Sequence, residues 1–358
     1  MRRRAWVISA RVRADLFDYS LPAECIAQRP REQRSAARLL VVGRDGYRHH
    51  SMRDWPELVP AHACVVLNDT KVFKGRLSGQ RSETGGRVEL LLLRRLDQGE
   101  ISSEERWSAL LESRGRLKPG ARIDVGDGVA KVVARRGEAF ELGFETRGGV
   151  HALAERWGEV PLPPYIRRGA DASDEERYQT VFAERVGSVA APTAGLHLTA
   201  HALARLAQRG IEVGRTTLHV GAGTFLPVRT TDLDDHPMHS EHCEVSGDLA
   251  ELLYRARSAG RPVVAVGTTV VRALESACNG GELRPFSGDT RLLIQPGYRF
   301  RVVDGLLTNF HAPRTTLLAL VAALIGRERL FEAYAEALGA GYRFLSYGDA
   351  MWIPEHLP

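Results

Sequence analysis

An α/β fold, with a mixed α/β main domain interrupted by an inserted all-β barrel-like domain, is predicted by three features of the sequence. Between about Lys71 and Val150 short β-type runs follow one another across Gly-rich turns (GRLSG, GGRVELLLLRRL, RWSALLES, LKPGARIDVGDG, VAKVVARRGEAFELGFE), the pattern of a small barrel. On both sides of that stretch apolar runs alternate with amphipathic helices that stop at glycine, as α/β units do. Third, VVAV-Gly267-Thr-Thr-VVRALESA joins an apolar strand to a helix through a tight turn, which leaves backbone N–H groups free to meet an anion. The expected division is 1–70 with 151–358 for the main domain and 71–150 for the insert.

Residues 1–14 read as a basic tail, expected to be disordered. Its Arg2, Arg3, Arg4, Arg11 and Arg13 account for the whole net charge of +5, so the basic balance belongs to the tail and does not by itself indicate a nucleic-acid partner. The apolar stretch Ala5 to Ala10 is broken by Ser9 and closed by Arg11, unlike an export signal. In the insert, Gly85-Gly86, Pro119-Gly120 and Gly126-Asp127-Gly128 are turn chemistry. Beyond it, Thr199 can cap a helix that runs to about Gln208 and stops at Gly210, and Asp248 can cap the next, ended by Gly260. The longest apolar run, Leu317 to Ile325, suits a buried helix and is too short to cross a bilayer. Cys25, Cys64, Cys243 and Cys278 have no paired spacing, which points to a reducing, cytoplasmic setting.

Polar loop residues concentrate in a few segments between apolar elements, where an α/β fold places its site. APTAGLHLT supplies Thr193, Gly195 and His197; LHVGAGTF supplies His219, Gly221, Gly223 and Thr224; the Gly267 turn supplies Thr268, Thr269 and Arg272. TNFHAP adds Asn309 and His311, and Tyr347-Gly348-Asp349 precedes the last strand. The stretch DHPMHSEHCE crowds three histidines, a cysteine and two glutamates between His236 and Glu244. Its histidines are spaced by three, so the first and third would sit about 120° apart on a helix. Pro237 disfavours a helix there, and no C-x-x-C or H-E-x-x-H occurs. No metal is expected. G-x-G-x-x-G, P-loop and G-x-S-x-G motifs are absent too, so dinucleotide, NTPase and serine-hydrolase chemistry find no support.

Taken in order, FDYSLPAECIAQRP, VVLNDTKVFKGRL, TGGRVELLLL, EVPLPPYIRR, ERYQTVFAERVGSVAAPTAGLHLT, TLHVGAGTFLPV, DHPMHSE, AVGTTVVRALES, LLTNFHAPRTTLLALV and YRFLSYGDAMWI are more specific than any one of them. From about Asp15 to Ile353 the chain resembles the S-adenosylmethionine:tRNA ribosyltransferase-isomerases of queuosine biosynthesis. The family's D-H-x-M-H-S-E covers His236, His239, Ser240 and Glu241 and calls for no histidine at His242. Leu198, where the family has phenylalanine, and Ala36, within an acidic-Ser pattern, depart from it.

That resemblance implies transfer and isomerisation of the ribosyl part of S-adenosylmethionine onto 7-aminomethyl-7-deazaguanine at the tRNA wobble position. The products would be epoxyqueuosine, adenine and methionine. S-adenosylmethionine is then a consumed co-substrate, and no cofactor is expected. The path needs a base beside the sulfonium and a proton donor for adenine; His197, His219, His239 and His311 are the candidates, with Glu241 facing the sulfonium or a histidine. Gly267 to Thr269 with Arg272 are expected to bind the methionine carboxylate or a phosphate. His239→Ala or Glu241→Ala is expected to cut turnover by orders of magnitude while leaving the fold intact. For the tRNA anticodon region, Arg76, Arg87, Arg116 and Lys118 on the insert and Arg167 and Arg168 after PLPPY are the expected phosphate contacts. No membrane contact and a monomer are expected. The competing readings are a non-catalytic RNA-binding paralogue and another S-adenosylmethionine-dependent enzyme such as a methyltransferase.

Overall fold

The computed structural model describes residues 11–97, 105–225 and 227–357. The tail expected at 1–14 lies outside these as far as residue 10. From there the chain is tied down: Arg11 pairs with Asp232 at 3.3 Å and Asp235 at 3.2 Å, and Ala14 donates its N–H to the Thr231 carbonyl and is buried.

The main sheet has nine strands, in the order Phe286–Thr290, Glu241–Val245, Glu212–Leu218, Cys64–Asn68, Val263–Val266, Gly305–Asn309, Ala350–Ile353, Arg38–Gly43 and Gly46–Ser51. The four from Glu212–Leu218 to Gly305–Asn309 are mutually parallel, and antiparallel pairings flank them. Parallel strands are covered on both faces, which is why CVVLN, VVAV and GLLTN are largely apolar; EVGRTTL keeps exposed Glu212 and Arg215. Side chains alternate between two cores. Cys64, Val66, Val263, Ala265 and Leu306 face the helices Gly247–Ser258, Thr268–Ser276, Thr316–Ile325 and Arg327–Gly339. Val65, Leu67, Val264, Val266 and Leu307 face Trp55, Leu198 and Leu206. Thr199 caps the helix Ala200–Gln208 by accepting from the Ala202 N–H at 3.1 Å. The next helix is capped by Ser246, whose hydroxyl accepts from the Leu249 N–H at 3.2 Å. Asp248, expected as that cap, lies inside the first turn, where its carboxylate complements the helix dipole instead.

The insert closes on itself. Six strands, Arg76–Arg81, Arg87–Arg95, Glu105–Ser113, Ala139–Glu145, Gly128–Arg136 and Arg122–Val125, pair in that order, and the last returns to the first through Gln80↔Asp124 and Arg81↔Ile123. Gly79 sits at the seam, where a Cβ would lie 2.8 Å from both the Asp124 carbonyl oxygen and Ile123 Cγ2. Leu77, Val88, Leu90, Leu92, Trp107, Ile123, Leu142 and Phe144 fill the interior, and Val150, Leu153 and Ala154 of the helix Gly149–Trp157 join the same core. At the neck, Thr70–Val72 pairs in parallel with Arg185–Ser188. The Gln179 amide accepts from the Val72 N–H at 3.0 Å and donates to the Val72 carbonyl at 2.6 Å.

Candidate active site

The C-terminal ends of three of the parallel strands, Glu212–Leu218, Val263–Val266 and Gly305–Asn309, and the turns that leave them form the wall of a cleft of about 630 Å³. This is the edge at which open α/β sheets bind ligands. Thr193, Val220, Thr224, Gly267, Thr268, Thr269, Thr308, Asn309 and His311 line it, with Tyr165 and Ser346 at one side. The cleft continues past Thr224 and Leu317 into an annex of about 440 Å³ lined by His236, His239, Glu241 and Arg272.

The helix Thr268–Ser276 starts in the cleft wall. Gly267 takes φ 96°, which a residue with a Cβ adopts only under strain, and no side chain among the described residues caps the helix. Its first N–H groups thus lack a side-chain acceptor, an arrangement suited to a carboxylate or phosphate. Asn68, at the end of its strand, holds the turn: its Nδ2 donates to the Leu218 carbonyl and to Thr269 Oγ1, and its Oδ1 accepts from the Leu218 and Thr70 N–H groups. Sequence reading missed Asn68, because only the sheet order brings residues 68, 218 and 269 together.

Glu241 is buried. One carboxylate oxygen accepts from the Gly221 N–H and the Thr224 hydroxyl, both at 2.9 Å, and the other pairs with Arg272. Arg272 also donates its Nε to the Leu292 carbonyl at 3.1 Å. This corrects two expectations. Replacing Glu241 cannot be silent for the fold, since it would strand a buried guanidinium. Arg272 reaches the annex already paired, so its first task is to hold Glu241 and, through it, the Gly221–Thr224 loop. Gly223 meets the ring of His239 so closely that an added Cβ would lie 2.1 Å from His239 Cδ2.

The four candidate histidines separate. His311 lines the cleft and is buried, with Nε2 2.9 Å from Thr308 Oγ1. Burial pushes it down to about 3, so it is neutral. His239 lines the annex and is exposed. His197 stands behind the cleft wall. Its Nε2 accepts from the Asn309 amide at 3.1 Å, and burial pushes it down to about 4. His219 lies 2.7 Å from Thr70 Oγ1 through Nδ1, is likewise pushed down to about 4 by burial, and stacks on His242 with ring centroids 6.2 Å apart. The histidines of the crowded stretch thus diverge: His236 and His239 face the annex, while His242 lies on a strand beside His219. Among the described residues no group of three or more His, Cys, Asp or Glu side chains is arranged to hold a metal ion.

Other expected ligand contacts lie apart from the cleft. Gly195 is packing: a Cβ there would come within 2.8 Å of Phe182 Cζ and 2.9 Å of Thr180 Cγ2. Ser240 donates to Asp289 at 2.7 Å. Tyr347 donates its hydroxyl to Asp174 at 2.7 Å. Asp349 is buried and accepts from the Arg31 side chain and from the Arg38 and Arg343 N–H groups. Of the expected RNA contacts, Arg87 is paired with Glu89, Arg76 donates to the Leu162 carbonyl, and Arg168 is bound bidentately by Asp174. Arg116, Lys118 and Arg167 are exposed.

Fold and cleft define a class, an α/β enzyme that takes a polar small molecule at the ends of its parallel strands and carries a β-barrel insert beside it. The family model described as queuosine biosynthesis protein matches residues 14–353, and the chain belongs to this family. The S-adenosylmethionine:tRNA ribosyltransferase-isomerase of Sorangium cellulosum is 50% identical over 369 residues, covering 96% of this chain and 98% of its own length. That of Stenotrophomonas maltophilia is 49% identical over 94% of this chain and 97% of its own. The crystal structure of S-adenosylmethionine tRNA ribosyltransferase from Thermotoga maritima superposes with a TM-score of 0.54 at 31% identity, covering 94% of this chain and 99% of that one.

Proposed function

We propose that the chain is an S-adenosylmethionine:tRNA ribosyltransferase-isomerase. It transfers the ribosyl part of S-adenosylmethionine to 7-aminomethyl-7-deazaguanine at the wobble position and rearranges it to epoxyqueuosine, with adenine and methionine released. The observation that carries this is the polarity of the cleft. The uncapped helix start at Thr268 offers donors at one place. Asn309 presents a buried Oδ1 that has no donor among the described residues, although its Nδ2 is taken by His197 and the Leu345 carbonyl. The helix start suits the methionine carboxylate, and Asn309 Oδ1 suits an adenine amino group, since a buried acceptor left unpaired costs about 1–3 kcal/mol.

In this reading S-adenosylmethionine is consumed as a co-substrate, with no separate cofactor. His311 and His239, the two candidate histidines that line the cleft and its annex, handle the protons. Imidazole can accept a proton from the carbon beside the sulfonium, and the imidazolium so formed can pass it to departing adenine. Glu241, neutralised by Arg272, shapes the Gly221–Thr224 wall rather than facing the sulfonium as a bare charge. The enzyme is proposed to act as a monomer in the cytoplasm; no described helix is long and apolar enough to cross a membrane.

The test is incubation with S-adenosylmethionine and an anticodon stem-loop bearing the aminomethyl-deazaguanine, followed by mass spectrometry. Adenine and methionine released with an epoxide-bearing cyclopentyl addition on the RNA is the expected result. S-adenosylhomocysteine, or RNA left unchanged, would overturn it.

A further inference from the structure

Behind the cleft wall lies a second, smaller hollow of about 290 Å³, lined by Arg31, Arg34, Arg177 and Arg343 together with His197 and Tyr347. It meets the main cleft at Ser346, which lines both. Asn309 bridges the two, lining the cleft while its amide donates to His197 in the hollow.

The charge here is poorly compensated. Arg31 is bound bidentately by Asp349. The other three spend their terminal nitrogens on backbone carbonyls: Arg34 on Leu196 and Glu176, Arg177 on Arg31 and Glu32, and Arg343 on Arg29 and Tyr347. Among the described residues none of these three has a carboxylate within ion-pair distance. Arg177 Nε and Arg343 Nε are buried and have no hydrogen-bond partner there. Burial and the neighbouring guanidinium of Arg177 lower the affinity of Arg34 for its proton, and burial with Arg31 does the same to Arg343. Four cations and one buried carboxylate in so small a hollow are mutually unfavourable unless an anion completes them.

We propose that this hollow is a phosphate pocket for the RNA backbone, in which Arg34, Arg177 and Arg343 hold successive phosphodiesters beside the nucleotide delivered to the cleft. Arg31 and Asp349 position them. The proposal rests on the reading of the chain as a tRNA-modifying enzyme. The occupant is assigned to RNA rather than to the carboxylate of S-adenosylmethionine on two grounds. The helix start at Thr268 already offers that carboxylate a place in the main cleft. Further, one carboxylate would balance one of three uncompensated guanidinium groups, whereas successive phosphates of a strand can balance several. Carbonyl anchoring also fixes each guanidinium fork before the ligand arrives, which lowers the ordering cost of binding.

The experiment measures binding of a fluorescein-labelled anticodon stem-loop by anisotropy across a potassium chloride series, with the full chain and its variants Arg34→Gln, Arg177→Gln and Arg343→Gln. Glutamine retains an N–H₂ group for the carbonyl anchors but removes the charge. Each variant is expected to weaken binding about fivefold to tenfold at low salt and to reduce the slope of log K against log salt by about 0.7, the loss of one phosphate contact on a single strand. The KM for S-adenosylmethionine stays at the parent value. Arg343→Lys, which keeps the charge without the fork, recovers the slope and only part of the affinity, and so separates a phosphate contact from a purely structural one. Unchanged affinity and slope in the three folded glutamine variants would overturn the proposal. A raised KM for S-adenosylmethionine with RNA affinity intact would also overturn it, assigning the pocket to the amino-acid tail. If the stem-loop binds with the expected slopes but no epoxide forms, the proposed reaction fails and the pocket stands.

Discussion

Replacing Glu241 by alanine tests how the annex is built, because the structure makes the residue a partner of a buried cation. The side chains of Glu241 and Arg272 are 3% and 8% exposed. Without Glu241 the guanidinium keeps a bond to the Leu292 carbonyl, while its Nη2 has no partner among the described residues even in the parent protein. Removing one member of a buried ion pair costs about 3–5 kcal/mol, mostly the penalty of the charge left behind. With an unfolding entropy of about 2.1 cal/mol/K per residue, a chain of 358 residues loses roughly 1.3 °C per kcal/mol, so the melting temperature falls by about 4–7 °C. Differential scanning fluorimetry reads this directly. Turnover measured well below the transition also falls, because the Gly221 N–H and the Thr224 hydroxyl lose their common acceptor. The double variant Glu241→Leu, Arg272→Met removes both charges and should recover more than half of the lost stability without recovering turnover. An alanine variant melting within about 1 °C of the parent, or a double variant as unstable as the sum of the singles, would refute the reasoning.

Gly223→Ala should lower turnover by about tenfold or more with a melting temperature unchanged, since the new methyl displaces the exposed His239 ring; normal turnover would show that the ring's position is immaterial. His197, His219 and His311 are held neutral by burial, at about 4, 4 and 3. Their folded values lie below the unfolded value near 6.5, so the stability they allow is complete above that pH and is lost as the pH falls through it. Unfolding near pH 5 should take up about three protons, and His311→Asn should take up about one fewer; urea midpoints independent of pH between 7 and 5 would contradict this. Trp107→Ala, in the barrel core, should cost about 3–5 kcal/mol. Its readout is earlier proteolysis within the barrel strands, and unchanged resistance there would count against the closed core.

The parallel strands were legible because burial on both faces leaves unbroken Val and Leu runs, as in VVAV before Gly267. The turn at Gly267 was legible for the same reason that it works: only glycine takes its backbone angle without strain. Barrel closure was less so, since the seam between Arg76–Arg81 and Arg122–Val125 joins strands separated by two others in the chain. The fates of the histidines were hidden, because a motif gives the residue type while burial comes from the packing of distant elements. Ser246 and Asp248 differ only in which side chain reaches the Leu249 N–H, a difference of one turn geometry. The arginine hollow left no local signal at all: Arg31, Arg34, Arg177 and Arg343 come from three separate stretches.

The neck between Val72 and Ser188 makes the barrel a closed excursion from the sheet. Two backbone strands and one glutamine amide hold the outgoing and returning chains side by side. For the folding chain, gathering those two points across on the order of a hundred residues costs about 4 kcal/mol of loop entropy. Once that is met, the sheet can assemble around the junction whether or not the barrel has formed. Because the two strands run parallel, no short turn could replace the excursion: the chain has to cross back along the strand length before it pairs, and the returning segment supplies Tyr165 to the cleft and Arg177 to the arginine hollow.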